Sequence, residues 1–140
     1  MADSSEIDNA LVAKLGGDAT LLALMPNGVY IEEAPPGMTR FVIVSLVTAI
    51  DEPIFGGDGF EDGLYLVDPR ALSTSGGDVK AAAARIKTLL HLQPLTVAGY
   101  TSMIVHKDGR PGGRVEVDQV DASIRWNKRP AYYRVQMAPV

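Results

Sequence analysis

Side chains that perform acid–base or nucleophilic chemistry are scarce in this sequence. Its 140 residues include no cysteine and two histidines, His91 and His106. No G-x-S-x-G elbow is present to expose a serine nucleophile. His91 lies at the end of a predicted helix, where a cation meets the negative end of the helix dipole, and His106 begins a basic loop. We therefore expect capping or surface roles for both histidines, no catalytic residue and no enzymatic activity.

Carboxylates occur in three adjacent pairs, Glu32–Glu33, Asp51–Glu52 and Glu61–Asp62. General acid–base catalysis needs two groups that converge on one substrate, whereas neighbours in an extended strand point to opposite faces. A charged edge that discourages unwanted strand pairing explains these pairs with fewer assumptions. We interpret them as solvated surface charge.

The glycine-rich run Gly57–Gly63 is the segment most similar to a phosphate or metal loop. Its third glycine falls one place too late for G-x-G-x-x-G, and its acids would repel a pyrophosphate. A calcium loop counted from Asp58 would place Phe60 and Pro69 where acidic ligands are required. We expect no cofactor and no metal here, and instead a solvated or partner-facing loop.

Trp126 has basic and aromatic neighbours that are typical of a nucleic-acid surface, namely Arg125, Lys128, Arg129, Tyr132 and Tyr133. Inward aromatics that alternate with outward bases along a strand give the same pattern, and we favour that interpretation. The net charge of −4 also argues against a wide basic footprint.

Charge is unevenly distributed along the chain. Residues 1–99 carry 13 acids and 6 bases, and residues 100–140 carry 4 acids and 7 bases, which gives −7 followed by +3. The predicted loop Asp51–Gly63 has five acids and no base, whereas the predicted loop His106–Arg114 is basic. Opposite charges on separate segments attract between copies of one chain.

Helix and strand signals predict one α+β domain over residues 1–140. Ser5 begins a first short helix, Asp18 caps a second, and Asp78–Leu92 forms one long helix with apolar side chains at helical spacing. Arg40–Ile50 is a predicted central strand that is apolar on both faces, so both faces need cover, from this chain or from a neighbouring subunit. We expect a mostly antiparallel twisted sheet with the helices packed on one face.

The chain after Pro94 is predicted to be all β and to form a meander, with strands at residues 95–97, 100–105, 115–120, 122–126 and 132–137. No apolar run approaches the roughly 20 residues of a membrane span. The first six residues are acidic where a secretory signal is basic, and the absence of cysteine gives no argument for an oxidising compartment. We expect folding in the cytoplasm and no membrane partner.

Several short patterns occur in a characteristic order along nearly the whole chain. They are Gly16-Gly17-Asp18, Gly28-Val29-Tyr30, Ala34-Pro35-Pro36-Gly37, the strand Arg40–Ser45, the Asp51–Gly63 segment leading into Leu64–Val67, the helix Asp78–Leu92 and the closing Tyr133-Arg134-Val135. In this order they resemble the tail terminator (tail completion) proteins of long-tailed phages.

The resemblance implies a structural virion protein without catalytic residues. Such a subunit forms a hexameric ring on the head-proximal end of the tail tube, ends tube polymerisation and joins the tail to the neck. The implied partners are further copies of the chain, the tail tube protein and a neck or head-completion protein. Genomic DNA would pass through the ring without specific binding.

Two charged segments are the predicted contact regions. We expect inter-subunit or tube contacts at or near six residues, Asp58, Glu61, Asp62, Lys107, Arg110 and Arg114. Three alternatives stay open at this point: another neck component such as a head-completion or stopper protein, a small-molecule-binding α+β domain or hydrolase, and a DNA-binding regulator that uses the basic carboxy-terminal part.

Overall fold

The computed structural model describes residues 5–54, 57–72, 76–109, 114–117 and 125–139. These residues form three helices and seven strands, in the order α1 (Ser5–Gly16), α2 (Ala19–Leu24), β1 (Val29–Ile31), β2 (Arg40–Ile54), β3 (Gly57–Leu72), α3 (Gly76–Leu90), β4 (Tyr100–Lys107), β5 (Arg114–Val117), β6 (Arg125–Lys128) and β7 (Ala131–Pro139). The predicted α+β class is confirmed. None of the described helices combines the length and apolarity that a bilayer crossing requires.

The two amino-terminal helices follow the sequence signals closely. Ile7, Leu11 and Leu15 recur at helical spacing and are all buried. The Asp18 carboxylate accepts a hydrogen bond from the backbone N–H of Leu21 at 2.9 Å, which makes it the N-cap of α2. The predicted helix boundaries in this part of the chain are confirmed.

Helix α3 buries the predicted apolar stripe through Val79, Ala82, Ile86 and Leu90. It ends at Leu90, two residues before the predicted boundary. Leu92 has a left-handed φ of 58°, so the chain has already left the helical conformation there.

Strands β2 and β3 form a long antiparallel hairpin, paired from Arg40↔Ala71 to Ile54↔Gly57. The prediction of an acidic loop over Asp51–Gly63 is therefore wrong, because these residues continue both strands; residues 55 and 56 lie outside the described part. Glycine and acidic residues disfavour strands locally, but backbone pairing to a long partner strand outweighs that weak preference.

The opposite edge of β3 is shared by two strands. β7 pairs with Glu61–Val67 and β6 pairs with Arg70–Leu72. β4 then pairs with β7, and β5 pairs with β6, so the predicted meander is wrong. The 16 residues of β3 exceed the length of either partner, which leaves room for both. β1 pairs in parallel with β2 on the remaining side.

The predicted strand at residues 95–97 is also wrong. Leu95 and Val97 are buried, but their backbone is irregular. Apolar side chains in a short segment indicate burial without fixing a strand, which accounts for the error.

Both faces of β2 are covered at its start. Val42 and Val44 join the hydrophobic cluster that also contains Leu11, Leu21 and Ile86 from the helices. Phe41 and Ile43 are buried outside this cluster, on the other side of the strand. Trp126 of β6 contacts Phe41 edge to face, with the ring centroids 5.7 Å apart.

Leu46 and Val47, which lie further along β2, are 41% and 50% exposed. The prediction that both faces are covered is thus confirmed for residues 41–44 and is wrong at Leu46 and Val47 within the described residues.

Candidate assembly surface

Five of the six predicted contact residues lie on strands instead of on two flexible loops. Asp58, Glu61 and Asp62 belong to β3. Lys107 ends β4 and Arg114 begins β5, whereas Arg110 lies outside the described residues. The structure therefore places Asp58, Glu61 and Asp62 on the β3 arm of the β2–β3 hairpin.

Asp62 has a partner within its own chain. Arg134 of β7 donates to the Asp62 carboxylate at 2.8 Å and to Asp108 at 3.1 Å and 3.3 Å. These hydrogen bonds raise the pKa of the Arg134 guanidinium. Sequence reasoning missed Arg134, because a single base at an alternating strand position is an ordinary surface residue. Asp62 is accordingly less available to a second molecule than its sequence context indicates.

A second ion pair joins the helices. The Arg85 guanidinium donates to both carboxylate oxygens of Asp18, at 2.8 Å and 2.7 Å. The side-chain hydrogen bond from Arg85 and the backbone N–H of Leu21 lower the pKa of Asp18 to about 2, although partial burial opposes the shift. One carboxylate thus caps α2 and fixes α3 beside it.

The two histidines take structural positions. The Nδ1 atom of His91 accepts a hydrogen bond from the backbone N–H of Lys107 at 2.9 Å, and the Leu92 N–H donates to the carbonyl of Val105 at 2.8 Å. His91 and Leu92, which follow α3, therefore cover the outer edge of β4 at its carboxyl end. The Nδ1 atom of His106 is buried and has no hydrogen-bond partner among the described residues.

A groove lies beside Trp126, where no sequence signal had indicated one. Its volume is about 300 Å³, and the segment Glu32–Met38 forms one wall against Phe41, Ile43, Arg70 and Trp126. Within the described residues, no three histidine or acidic side chains cluster as metal ligands do. The groove combines apolar walls with a few charges and contains no nucleophile beside a base.

Glu32 ends the pairing of β1 with β2. Its φ of 65° turns the chain away from the sheet, while its N–H still donates to the Val44 carbonyl at 3.0 Å. Its carboxylate accepts a hydrogen bond from the Leu46 N–H at 3.2 Å. This side chain therefore replaces the backbone acceptor that a longer β1 would offer to β2. Beyond Leu46, β3 is the one strand that pairs with β2 in the described part of the chain.

No protein-family model and no curated protein matches this chain. Among solved structures, a chain from the virion of a native gene transfer agent particle is similar, with a TM-score of 0.69, 21% identity, and coverage of 96% of this chain and 98% of that one. A second solved protein has a TM-score of 0.60 at 15% identity over the full length of both chains. At these identities the likeness is one of fold.

Proposed function

We propose that this chain is a structural subunit of a phage-like virion and not an enzyme. The observation that carries the proposal is the fold likeness to a chain of a gene transfer agent virion, which extends over 96% of one chain and 98% of the other. The likeness covers nearly all of both chains, so the shared fold is more than a short common motif.

The distribution of polar side chains supports a role without catalysis. The most prominent described ion pairs, Asp18–Arg85 and Asp62–Arg134–Asp108, each satisfy their charges within the chain. His91 holds α3 to β4, and the groove beside Trp126 lacks an activated nucleophile. An active site needs polar groups that are available to a substrate. The charged groups and the histidine named here instead form hydrogen bonds within the fold.

The finer proposal is the tail terminator role. In it the chain forms a hexameric ring on the head-proximal end of the tail tube, stops tube growth and provides the surface for the neck protein. Leu46 and Val47 are exposed shortly after the buried residues 41–44, and they support contact with further protein because covering apolar side chains is favourable.

Mass photometry and negative-stain microscopy, with and without purified tail tubes, test this proposal. We expect ring-shaped oligomers that bind one end of each tube and prevent further tube growth. Rings that bind capsids and ignore tubes would assign the chain to the neck instead. A protein that stays monomeric at all concentrations and binds neither tubes nor capsids would contradict the virion role.

A further inference from the structure

The part of the sheet near the hairpin has four strands, in the order β2–β3–β7–β4. One row of backbone pairs crosses all four, through Asp51, Glu61, Met137 and Ser102. β2 and β4 are therefore the two outer edges of the same section. All three pairings are antiparallel, so the two edge strands run in opposite directions.

Among the described residues, no strand pairs with the outer edge of β2 from Val47 onward. Glu32 ends the pairing with β1, and its carboxylate accepts a hydrogen bond from the Leu46 N–H. The alternation of the ladder then directs the backbone N–H groups of Ala49 and Asp51 away from β3. Edge strands of this kind are normally shortened, charged or covered, because unpaired backbone groups pair with other strands.

The β4 edge is covered at one end by the turn after α3, and at the other end the Tyr100 N–H donates to the Val97 carbonyl at 3.1 Å. The Lys107 N–H donates to Nδ1 of His91, and the Leu92 N–H donates to the Val105 carbonyl. Ser102 lies opposite Met137, beyond the register shift, and its backbone is directed away from β7. Residues Tyr100–Ser102 have β7 as their one strand partner in the part of the chain described.

We infer that the outer β2 edge of one copy pairs with the β4 edge of the next copy, so that the four-stranded section continues from subunit to subunit. Because the two edges run in opposite directions, head-to-tail repetition gives antiparallel pairing at every junction, as within the subunit. Two different edges make a heterologous contact, which closes into a ring when the rotation allows. This inference rests on the proposed ring-forming role and names the surface that builds the ring.

Charge favours β4 over a second β2 as the partner. Residues 51–63 carry five acids and no base, so two β2 edges side by side would bring like charges together. Strand β4 itself, Tyr100–Lys107, carries one base, Lys107, and no acid. A β2–β2 contact would also be isologous and would stop at a dimer.

Proline substitutions at the two edges test the inference. Ala49→Pro and Ser102→Pro each remove an N–H that is directed outward, so the ladders inside the subunit lose no hydrogen bond. We expect each variant to keep the far-UV circular dichroism of the wild-type monomer and to lose the oligomer, with at least a tenfold rise in the concentration at which assembly is half complete.

Val47→Lys and Ala84→Lys provide a matched pair. Both replace an exposed apolar side chain by lysine, and Ala84 lies on α3, away from both sheet edges. Lysine at the β2 edge should prevent assembly, whereas Ala84→Lys should assemble as the wild type does. Equal assembly of both variants would overturn the inference.

The outcomes separate this inference from the proposed function. Wild-type rings that persist in both proline variants would overturn the edge pairing and leave the ring role intact. Loss of assembly in Ala49→Pro alone would overturn β4 as the partner strand. A wild-type protein that forms no oligomer, alone or on tail tubes, would overturn the ring role itself.

Discussion

At the residue scale, Asp18 performs two tasks with one carboxylate. It caps α2 through the Leu21 N–H and holds Arg85 of α3 through two short hydrogen bonds. The capping role is visible in the sequence, since aspartate before a short apolar helix is a standard N-cap. The ion pair is not visible, because Arg85 lies 67 positions away in the chain.

Substitution of Asp18 separates these two tasks. Asp18→Ala removes both and should lower the free energy of unfolding by about 1–2 kcal/mol. Asp18→Asn keeps a side-chain acceptor for the cap and should lower it by less, roughly 1 kcal/mol or below. Urea unfolding followed by circular dichroism measures both values. Equal losses in the two variants would mean that the cap contributes nothing.

The same carboxylate predicts a pH dependence. Its folded pKa of about 2 lies below the unfolded value near 3.9. Its contribution to stability is therefore fully present above about pH 4 and is lost as the pH falls through about 2. The stability difference between wild type and Asp18→Asn should shrink across that window and stay constant above pH 5. Urea unfolding at a series of pH values gives this difference, and one that persists unchanged at pH 2 would contradict the assignment.

At the element scale, the turn after α3 protects a sheet edge. His91 accepts from Lys107 and Leu92 donates to Val105, so two residues act as a very short strand beside β4. The sequence predicts the end of the helix, but not that the residues after it serve the sheet. Edge protection of this kind limits where another strand can add.

Removal of the His91 imidazole should open the end of β4. His91→Ala leaves the Lys107 N–H without its acceptor and should cost about 1 kcal/mol of stability. Hydrogen exchange at the Lys107 amide should become faster by about tenfold or less, because 1.4 kcal/mol corresponds to one factor of ten. His91→Asn can offer an oxygen in place of Nδ1 and should restore part of the protection. Unchanged exchange in His91→Ala would show that the bond contributes no protection.

At the scale of the whole molecule, charge asymmetry is the feature that sequence and structure share. The acidic hairpin and Lys107 belong to opposite sides of one four-stranded section. Head-to-tail contact brings such edges together, and the attraction between them weakens with salt. Asp62 is an exception, because Arg134 already neutralises it.

Charge exchange tests this arrangement. Reversal of Lys107, Arg110 and Arg114 to glutamate should weaken assembly, and the addition of Asp58→Lys and Glu61→Lys should restore part of it. Asp62 is left unchanged so that its intrachain ion pair survives. Light scattering at several salt concentrations measures the oligomer. Wild-type assembly of the triple variant would contradict the role of these charges.

The sequence by itself determined the helices, the class of the fold and the lack of a catalytic signature. Those features depend on local signals, such as the spacing of Ile7, Leu11 and Leu15 and the cap at Asp18, which act within a few residues. The tail terminator resemblance came from the order of such local patterns.

Only the tertiary structure decided the sheet. Its register turned the predicted acidic loop into the ends of β2 and β3, and it placed β7 and β6 side by side along one long strand. Strand pairing joins residues far apart in the chain, and its free energy depends on the partner as much as on the segment itself. The outer edges follow from that pairing, so the surface proposed for assembly could be found only in the folded chain.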